Sequence, residues 1–195
     1  MRTLADEHNG RVFSELPAPL TDGRVSLRYY AERDIPEILI AYQDDPELHL
    51  RLGEERPPSG AELGRYAERS EAARIAGDNI TLTIVEPGHD ECRGEVRVHN
   101  FDWDHGRAEL GIWVAPQLRG RGMARAALRL VASWLFEACR LERVQLLTEP
   151  DNDAMIAAAR AAGFTHEGVL RSYLRERGSR VDVAVLSLLP GDGGG

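Results

Sequence analysis

Hydrophobic and polar positions change their period several times along this chain. Seven stretches show the alternation or the short apolar runs of strands, and four show helical spacing. The predicted strands are residues 24–30, 79–87, 92–101, 107–114, 143–149, 164–174 and 179–189. The predicted helices are residues 31–45, 59–76, 123–138 and 151–164. A doubly wound sheet would alternate strand and helix throughout, so this order predicts one mixed α/β (α+β) domain with a mostly antiparallel central sheet flanked by helices.

Capping residues support the helix boundaries. Ser59 followed by Glu62 is a capping-box pattern, and Asp34 stands where the first helix needs an N-cap. Asn152 is a candidate N-cap for the last helix, which Gly163 would end.

The ends of the chain differ from its middle. Residues 1–20 are polar and without period, which predicts a flexible arm, and residues 191–195 form a Gly-rich tail expected to be disordered. Residues 21–190 are expected to form the domain. The chain shows neither a signal-peptide pattern nor an apolar run of about 18 residues, so we expect a cytoplasmic protein that does not enter membranes.

The composition of the chain limits which ligands and catalytic groups it can use. The 195 residues carry a formal net charge of −8, which disfavours a general nucleic-acid binder. All 24 basic residues are Arg, so no lysine amine can act in catalysis. Cys92 and Cys139 lie far apart without metal-ligand spacing, so we expect no metal, a reducing compartment and no cysteine nucleophile.

The stretch from Val114 to Leu130 combines glycine and arginine where a strand runs into a helix. A helix N-terminus has free N–H groups and a partial positive charge, and Gly120 and Gly122 let a ligand approach them. With Arg119, Arg121 and Arg125 beside it, this mouth predicts a phosphate site. A plain strand-to-helix turn with solvated arginines is the alternative; the Gly-Lys-Ser/Thr ending of a P-loop and the three glycines of a dinucleotide fingerprint are absent.

Gln117 to Gly122, Q-L-R-G-R-G, resembles the Q/R-x-x-G-x-G/A signature of the GNAT N-acetyltransferase superfamily. The segments around it, from about Leu20 to Leu189, resemble the RimJ/RimL-like branch of ribosomal-protein-alanine acetyltransferases. The resemblance implies a single-domain GNAT fold, with acetyl-CoA as co-substrate. It places the pyrophosphate of coenzyme A on the amides around Leu118 to Met123, and the pantetheine arm on the strand before. The coenzyme-binding residues it implies are Ile112, Trp113, Val114, Gln117, Leu118, Arg119, Gly120, Arg121, Gly122, Met123, Ala124 and Asn152.

Glu109 is the first candidate for the catalytic base. It alternates with Gly111 and Trp113 and so shares their face of the strand, and it matches a position that is often acidic in the family. A surface carboxylate beside an Arg is the alternative. Glu95 and His99 are weaker candidates, as is His105.

The proton donor for the leaving sulfur is not evident. Many GNAT enzymes have a Tyr where this chain has Ala159, and the RimJ/RimL-like branch often has a Ser where it has Met155. Tyr173 is the substitute candidate, with packing as its alternative role.

The sequence therefore predicts an N-acetyltransferase that moves an acetyl group from acetyl-CoA to a primary amine, by direct attack in a ternary complex. The acceptor would be a protein N-terminus or a small amine, and residues 42–60 would shape its site. The alternative is a CoA-binding sensor or structural protein with a degenerate site. A monomer and a homodimer are both open.

Overall fold

A computed structural model describes residue 13 and residues 15–17, 20–176 and 178–192. Its strands are β1 (Leu20–Thr21), β2 (Ser26–Tyr29), β3 (Ile80–Val85), β4 (Gly94–Asp102), β5 (Arg107–Val114), β6 (Arg143–Thr148), β7 (Thr165–Glu176) and β8 (Ser179–Leu188). Its helices are α1 (Ile35–Asp44), α2 (Leu48–Arg51), α3 (Gly60–Ala76), α4 (Met123–Glu137) and α5 (Asp153–Ala161).

The eight described strands form one sheet in the order β1-β2-β3-β4-β5-β6-β8-β7. Neighbouring strands are antiparallel except β5 and β6, which are parallel and joined through α4. The predicted fold class is confirmed. The short strand β1 and the single turn α2 are additions, because neither is long enough to show a period.

Apolar side chains cover both faces of the sheet. On one face, α4 and α5 close the larger core around Leu110, Leu128 and Leu146, which are almost fully buried. On the other face, α1 and α3 close a smaller core that includes Ile38 and Trp113. Strand β5 therefore lies between two helical layers, with alternate side chains in each core.

The predicted N-caps are present in the structure, except the one at Asp34. Ser59 and Glu62 form the capping box of α3, and the Asn152 side chain accepts from the Met155 amide at the start of α5. Asp34 precedes α1 but does not cap it. Its buried carboxylate instead accepts from Arg28, at 2.5 Å, and from the Thr83 hydroxyl, at 2.7 Å.

Most of the predicted arm, and residues 193–195 of the predicted tail, lie outside the described residues. Phe13 is buried in the larger core, where its ring lies 4.7 Å from that of Phe101 and 6.4 Å from that of Trp134. Leu16 also packs against this core, and its amide donates to the Tyr29 hydroxyl at 3.0 Å, so the segment before the domain is part of the packing at both residues.

Candidate functional site

Strands β5 and β6 separate along their length. They pair from Arg107 to Leu110 in β5 and from Arg143 to Leu146 in β6, and no pairing continues beyond. Strand β5 goes on to Val114 beside β4, and β6 goes on to Thr148 beside β8. The sheet therefore opens into a wedge beyond Leu110, with the end of β5 as one wall.

The backbone of β5 presents unpaired groups to this wedge. The Ala115 amide donates to the Arg93 carbonyl at 2.9 Å, which fixes the phase of the β4–β5 ladder. Bonded and non-bonded positions alternate in an antiparallel pair, so Trp113 bonds to β4 while Ile112 and Val114 point their amides into the wedge. The prediction that all three line a ligand is thereby corrected for the main chain of Trp113.

A loop of six available amides follows β5. No described residue accepts from the main-chain N–H groups of residues 120–125; the first α4 hydrogen bond runs from Ala126 to the Gly122 carbonyl. Gly120 and Gly122 have φ angles of +75° and +79°, in a region that residues other than glycine rarely adopt. The glycines thus allow a backbone turn that leaves this row of donors without a described acceptor at the positive end of α4.

The amide cradle begins two residues later than predicted. The amides of Leu118 and Arg119 are used within the turn, donating to the carbonyls of Ala115 and Pro116. Met123 is buried and Ala124 is partly buried in the larger core, so these two residues contribute main chain rather than side chain. The expected donors at Leu118 and Arg119 are therefore not available, and the role of the later amides in coenzyme binding stays a prediction.

Arginines surround the loop unequally. A groove of about 410 Å³ beside the first turns of α4 is lined by Arg24, Arg125 and Arg129, and also by Asp22. The Arg24 Nη1 atom lies 3.9 Å from the position of a Cβ on Gly122. Ion pairs among the described residues use other arginines, so these three guanidinium groups are open to an anion. Sequence analysis missed Arg24 and Arg129, since their positions depend on the fold.

Two polar side chains of the loop do not face the amide cradle. Arg119 lies 2.7 Å from the Asp45 carboxylate and donates through Nε to the Val114 carbonyl. Gln117 donates to Asp44. Arg119 was expected as a phosphate ligand, but its guanidinium is bound to these oxygens. Arg121 is exposed, as that role requires.

Glu109 lies beside the vertex of the wedge, on the face opposite α4. Its side chain is mostly buried, at 14 % exposure, and its Oε1 lies 3.8 Å from His99 Nε2. Asn100 and Gln145 donate to its other oxygen at 3.5 and 3.4 Å. Three strands thus converge on this carboxylate, which the sequence could place on a face but not among these partners.

A buried polar cluster continues along the same face. Glu95 is 1 % exposed and accepts from the Trp113 indole at 3.0 Å and from Arg97 at 3.0 Å. Because both partners hold this carboxylate in the smaller core, Glu95 serves the packing around Trp113. His105, the other weak candidate, is exposed and pairs with Asp102 in the β4–β5 turn.

The far wall of the wedge ends at α5. Asn152 accepts from Met155 through its cap and donates to Glu149 at 3.4 Å, so it is fixed beside the end of β6. Ala159 is fully buried and Met155 packs against the larger core. Neither position carries a proton donor.

The structure does not bring Tyr173 to Glu109. Strand β7 is the sheet edge, three strand spacings or about 14 Å across from β5. Tyr173 also lies near Asp182, whereas Glu109 is level with Ser187, about 17 Å further along β8. The tyrosine is 48 % exposed. As a general acid acting with Glu109, this candidate is therefore withdrawn.

The carboxylates of residues 42–60 are largely engaged within the protein. Asp45 binds Arg119 and Arg51, and Glu54 accepts from Tyr42 at 2.7 Å. Glu62 pairs with Arg56 just beyond this segment. These contacts tie part of the acidic stretch to the fold, while the Glu47 side chain remains 72 % exposed.

Neither cysteine forms a disulfide, and burial raises the pKa of the Cys92 thiol, which makes it a poor nucleophile. The described residues include no group of His, Cys, Asp and Glu side chains able to hold a metal ion. Within the same residues, every helix is too short or too polar to cross a membrane.

A splayed parallel pair that leads into a glycine loop at a helix N-terminus defines a class of protein: one that lays a phosphate-bearing ligand along a strand. The acetyltransferase (GNAT) domain family matches residues 24–165. The chain belongs to the GNAT acetyltransferase family.

Curated relatives and a solved structure agree with this assignment. The uncharacterized N-acetyltransferase p20 of Bacillus licheniformis is 26% identical over 166 residues, which cover 85% of this chain and 93% of that protein. Spermidine N(1)-acetyltransferase of Escherichia coli K12 is 32% identical over 84 residues, 41% of this chain and 45% of that protein. Mycobacterium smegmatis RimJ, solved in complex with CoA-disulfide, superposes with a TM-score of 0.76 at 25% identity, covering 88% of this chain and 84% of RimJ.

Proposed function

We propose that this protein transfers an acetyl group from acetyl-CoA to a primary amine, by direct attack of the amine in a ternary complex. One observation carries the proposal: six free amides at the start of α4 lie at the open end of the β5–β6 wedge. A diphosphate fits the amides and an extended amide-bearing arm fits the wedge, so the two features together suit coenzyme A.

The chain's own residues fit this co-substrate at each part. The amides of residues 120–125 bind the pyrophosphate, and the main chain of Ile112 and Val114 hydrogen-bonds the pantetheine amides. Arg24, Arg125 and Arg129 bind the remaining phosphate charge in their groove. Acetyl-CoA, when bound, supplies an acyl carbon activated as a thioester.

Glu109 acts as the base. It accepts, directly or through one water, the proton that the attacking amine loses. Its place at the vertex of the wedge, between β4 and β6, is where a thioester held by β5 would end. Asn100 and Gln145 donate to the carboxylate and hold it in place. An α-amine needs little base catalysis, because its pKa of about 8 leaves a fair fraction of it neutral near pH 7.4.

The departing sulfur receives little help from the protein. Met155 and Ala159 stand where relatives of this type carry a hydroxyl, and neither can donate a proton. A thiol with a pKa near 8.5 is a tolerable leaving group, so transfer can proceed with its thiolate protonated by water.

The acceptor we propose is a protein N-terminus or a small primary amine. With a net charge of −8 and no disulfide, we place the protein in the cytoplasm, without nucleic-acid or membrane partners.

The test combines a binding titration with a thiol-release assay. Acetyl-CoA is titrated by calorimetry, and CoA release is then followed with free-N-terminus peptides, spermidine and small amines; an N-terminally blocked peptide is the control. The chain contains no lysine, so self-acetylation is limited to its own N-terminus. We expect binding, and release that requires a free amine.

Two results would overturn the proposal. If the protein binds no acyl-CoA, the amide cradle is not a coenzyme site and the proposal fails. A protein that binds acetyl-CoA but releases no thiol with any amine is the CoA-binding sensor that the missing hydroxyls at Met155 and Ala159 would suit.

A further inference from the structure

Two side chains of the glycine loop reach the end of α1, more than seventy residues away in the chain. Gln117 Nε2 donates to Asp44 Oδ2, and Arg119 Nη1 lies 2.7 Å from Asp45 Oδ2. The same guanidinium donates through Nε to the Val114 carbonyl at 3.1 Å. Arg119 therefore joins the end of β5, the loop and the α1–α2 segment in one set of contacts.

Asp45 is a fixed point in this set. It is 9 % exposed, its Oδ1 accepts from the Glu47 amide at 3.2 Å, and its Oδ2 also lies 3.0 Å from Arg51. Burial opposes its ionisation, but the hydrogen bond and charge of Arg119 and the charge of Arg51 hold its pKa below the ordinary value. The carboxylate stays charged and is held by these partners, so it can fix the position of the Arg119 guanidinium.

A carboxylate close to a phosphate site has two opposite effects on coenzyme affinity. Its negative charge repels phosphate, which weakens binding. Its hold on Arg119 keeps the loop in one conformation before the ligand arrives, which strengthens binding because less freedom is lost. The two effects predict changes of opposite sign when the charge is removed.

We propose that Asp45 is a positioning residue for the coenzyme loop, acting through Arg119, and that the second effect dominates. The inference rests on the proposed function, because it assigns Asp45 a part in acetyl-CoA binding. The contact between Asp45 and Arg119 also links the loop to the α1–α2 segment, whereas contacts within the loop would hold only the loop. The loop and this segment then respond together when either is disturbed.

The test is Asp45→Asn, with Glu47→Gln as the matched control. Glu47 lies two residues away, is 72 % exposed in its side chain and pairs with Arg51, but it makes no contact with Arg119. We expect Asp45→Asn to raise the acetyl-CoA Kd about tenfold, the scale of one charge-assisted hydrogen bond. Glu47→Gln should leave it unchanged or slightly lower it. An unchanged or tighter Kd in Asp45→Asn overturns the proposal.

A double-mutant cycle separates positioning from general destabilisation. If Asp45 acts through Arg119, then Asp45→Asn combined with Arg119→Gln binds no more weakly than Arg119→Gln alone. The KM for acetyl-CoA should rise in both single variants while kcat is retained. Additive losses, or a fall in kcat alone, contradict the proposed role.

Two further outcomes remain distinguishable. Should Asp45→Asn fail to fold, the half-exposed Arg119 provides the test: Arg119→Lys keeps the charge but loses the bond to Val114, and it should lose part of the affinity that Arg119→Gln loses in full. Equal affinity in all three proteins overturns the inference. Wild-type protein that binds no acetyl-CoA contradicts the proposed function itself, before Asp45 is tested.

Discussion

The two halves of the candidate site are built from different parts of the polypeptide. The coenzyme half, from β5 through the glycine loop into α4, offers main-chain amides, and its glycines keep side chains away. The half on the opposite face offers side chains: Glu109 among its three polar neighbours, and Glu95 held by Trp113. Binding at a main-chain site is lost when a substitution adds a side chain, whereas the function of a side-chain site is lost when a substitution removes a functional group.

The largest expected effect comes from adding a side chain to the main-chain half. Gly122→Glu places a carboxylate at the phosphate cradle and strains a residue with φ of +79°. A like charge at about 4 Å costs about 4 kcal/mol near a protein surface, or about a thousandfold in the Kd for CoA. Calorimetric titration measures it.

Gly88→Glu is the matched control, because Gly88 has a φ of +81° in the β3–β4 turn and open space around it. It carries the same strain and charge away from the loop, so CoA affinity should persist with some loss of stability. Equal losses of affinity in the two variants would show that strain, and not the cradle, decides binding.

The same contrast explains which features could be predicted from sequence. The glycine loop and the helix that it opens are local, so Gly120 and Gly122 mark them directly. The order of strands and helices follows from local periods in the same way. The contact of Arg119 with Asp45 and the approach of Arg24 to Gly122 join residues far apart in the chain, and no local pattern encodes them.

Even within the loop, the first donor was placed two residues early. The turn at Pro116 uses the amides of Leu118 and Arg119, and the sequence shows the proline but not which carbonyls those amides meet. Tyr173 shows the same limit: its residue type suits a proton donor, but its strand forms the sheet edge.

The side-chain half is tested by removing a charge. Glu109→Gln keeps the size of the side chain but cannot accept a proton, and we expect kcat to fall about 100-fold, at the low end for a general base because an α-amine needs little help. The Kd for acetyl-CoA should not change. The deficit should shrink above about pH 8, where an α-amine is already neutral.

Glu71→Gln, on the exposed face of α3, is the control for a lost carboxylate and should retain full activity. A Glu109→Gln enzyme with unchanged kcat would remove Glu109 from the chemistry and leave the amine to lose its proton to water. Weakened acetyl-CoA binding in this variant would instead show that the two halves are not separable.

The arginine groove has a smaller effect, since side chains there add to main-chain binding. Arg129→Gln should weaken CoA binding about threefold to tenfold, and this loss should fade at high salt, as expected for an exposed charge. Dephospho-CoA, which has one phosphate fewer, should bind the variant and the wild type more equally. Arg69→Gln on α3 is the control. A CoA preference unchanged in Arg129→Gln would exclude the groove from coenzyme binding.

The smallest effect lies outside both halves, where a carboxylate ties the last strands together. Glu167 on β7 binds Arg143 of β6 at 2.6 Å and accepts from Ser187 of β8, and these contacts lower its pKa to about 2. The folded pKa is depressed from an ordinary value of about 4.3, so the contribution is present above pH 4.3 and is lost as the pH falls to about 2. Because the side chain is 42 % exposed, solvent limits the stabilisation from this ion pair to less than about 1 kcal/mol.

Urea unfolding of wild type and Glu167→Gln should therefore show a small difference in the free energy of unfolding at pH 7 that closes toward pH 2, with acetyl-CoA affinity equal in both. A gap independent of pH would assign the difference to packing instead of charge.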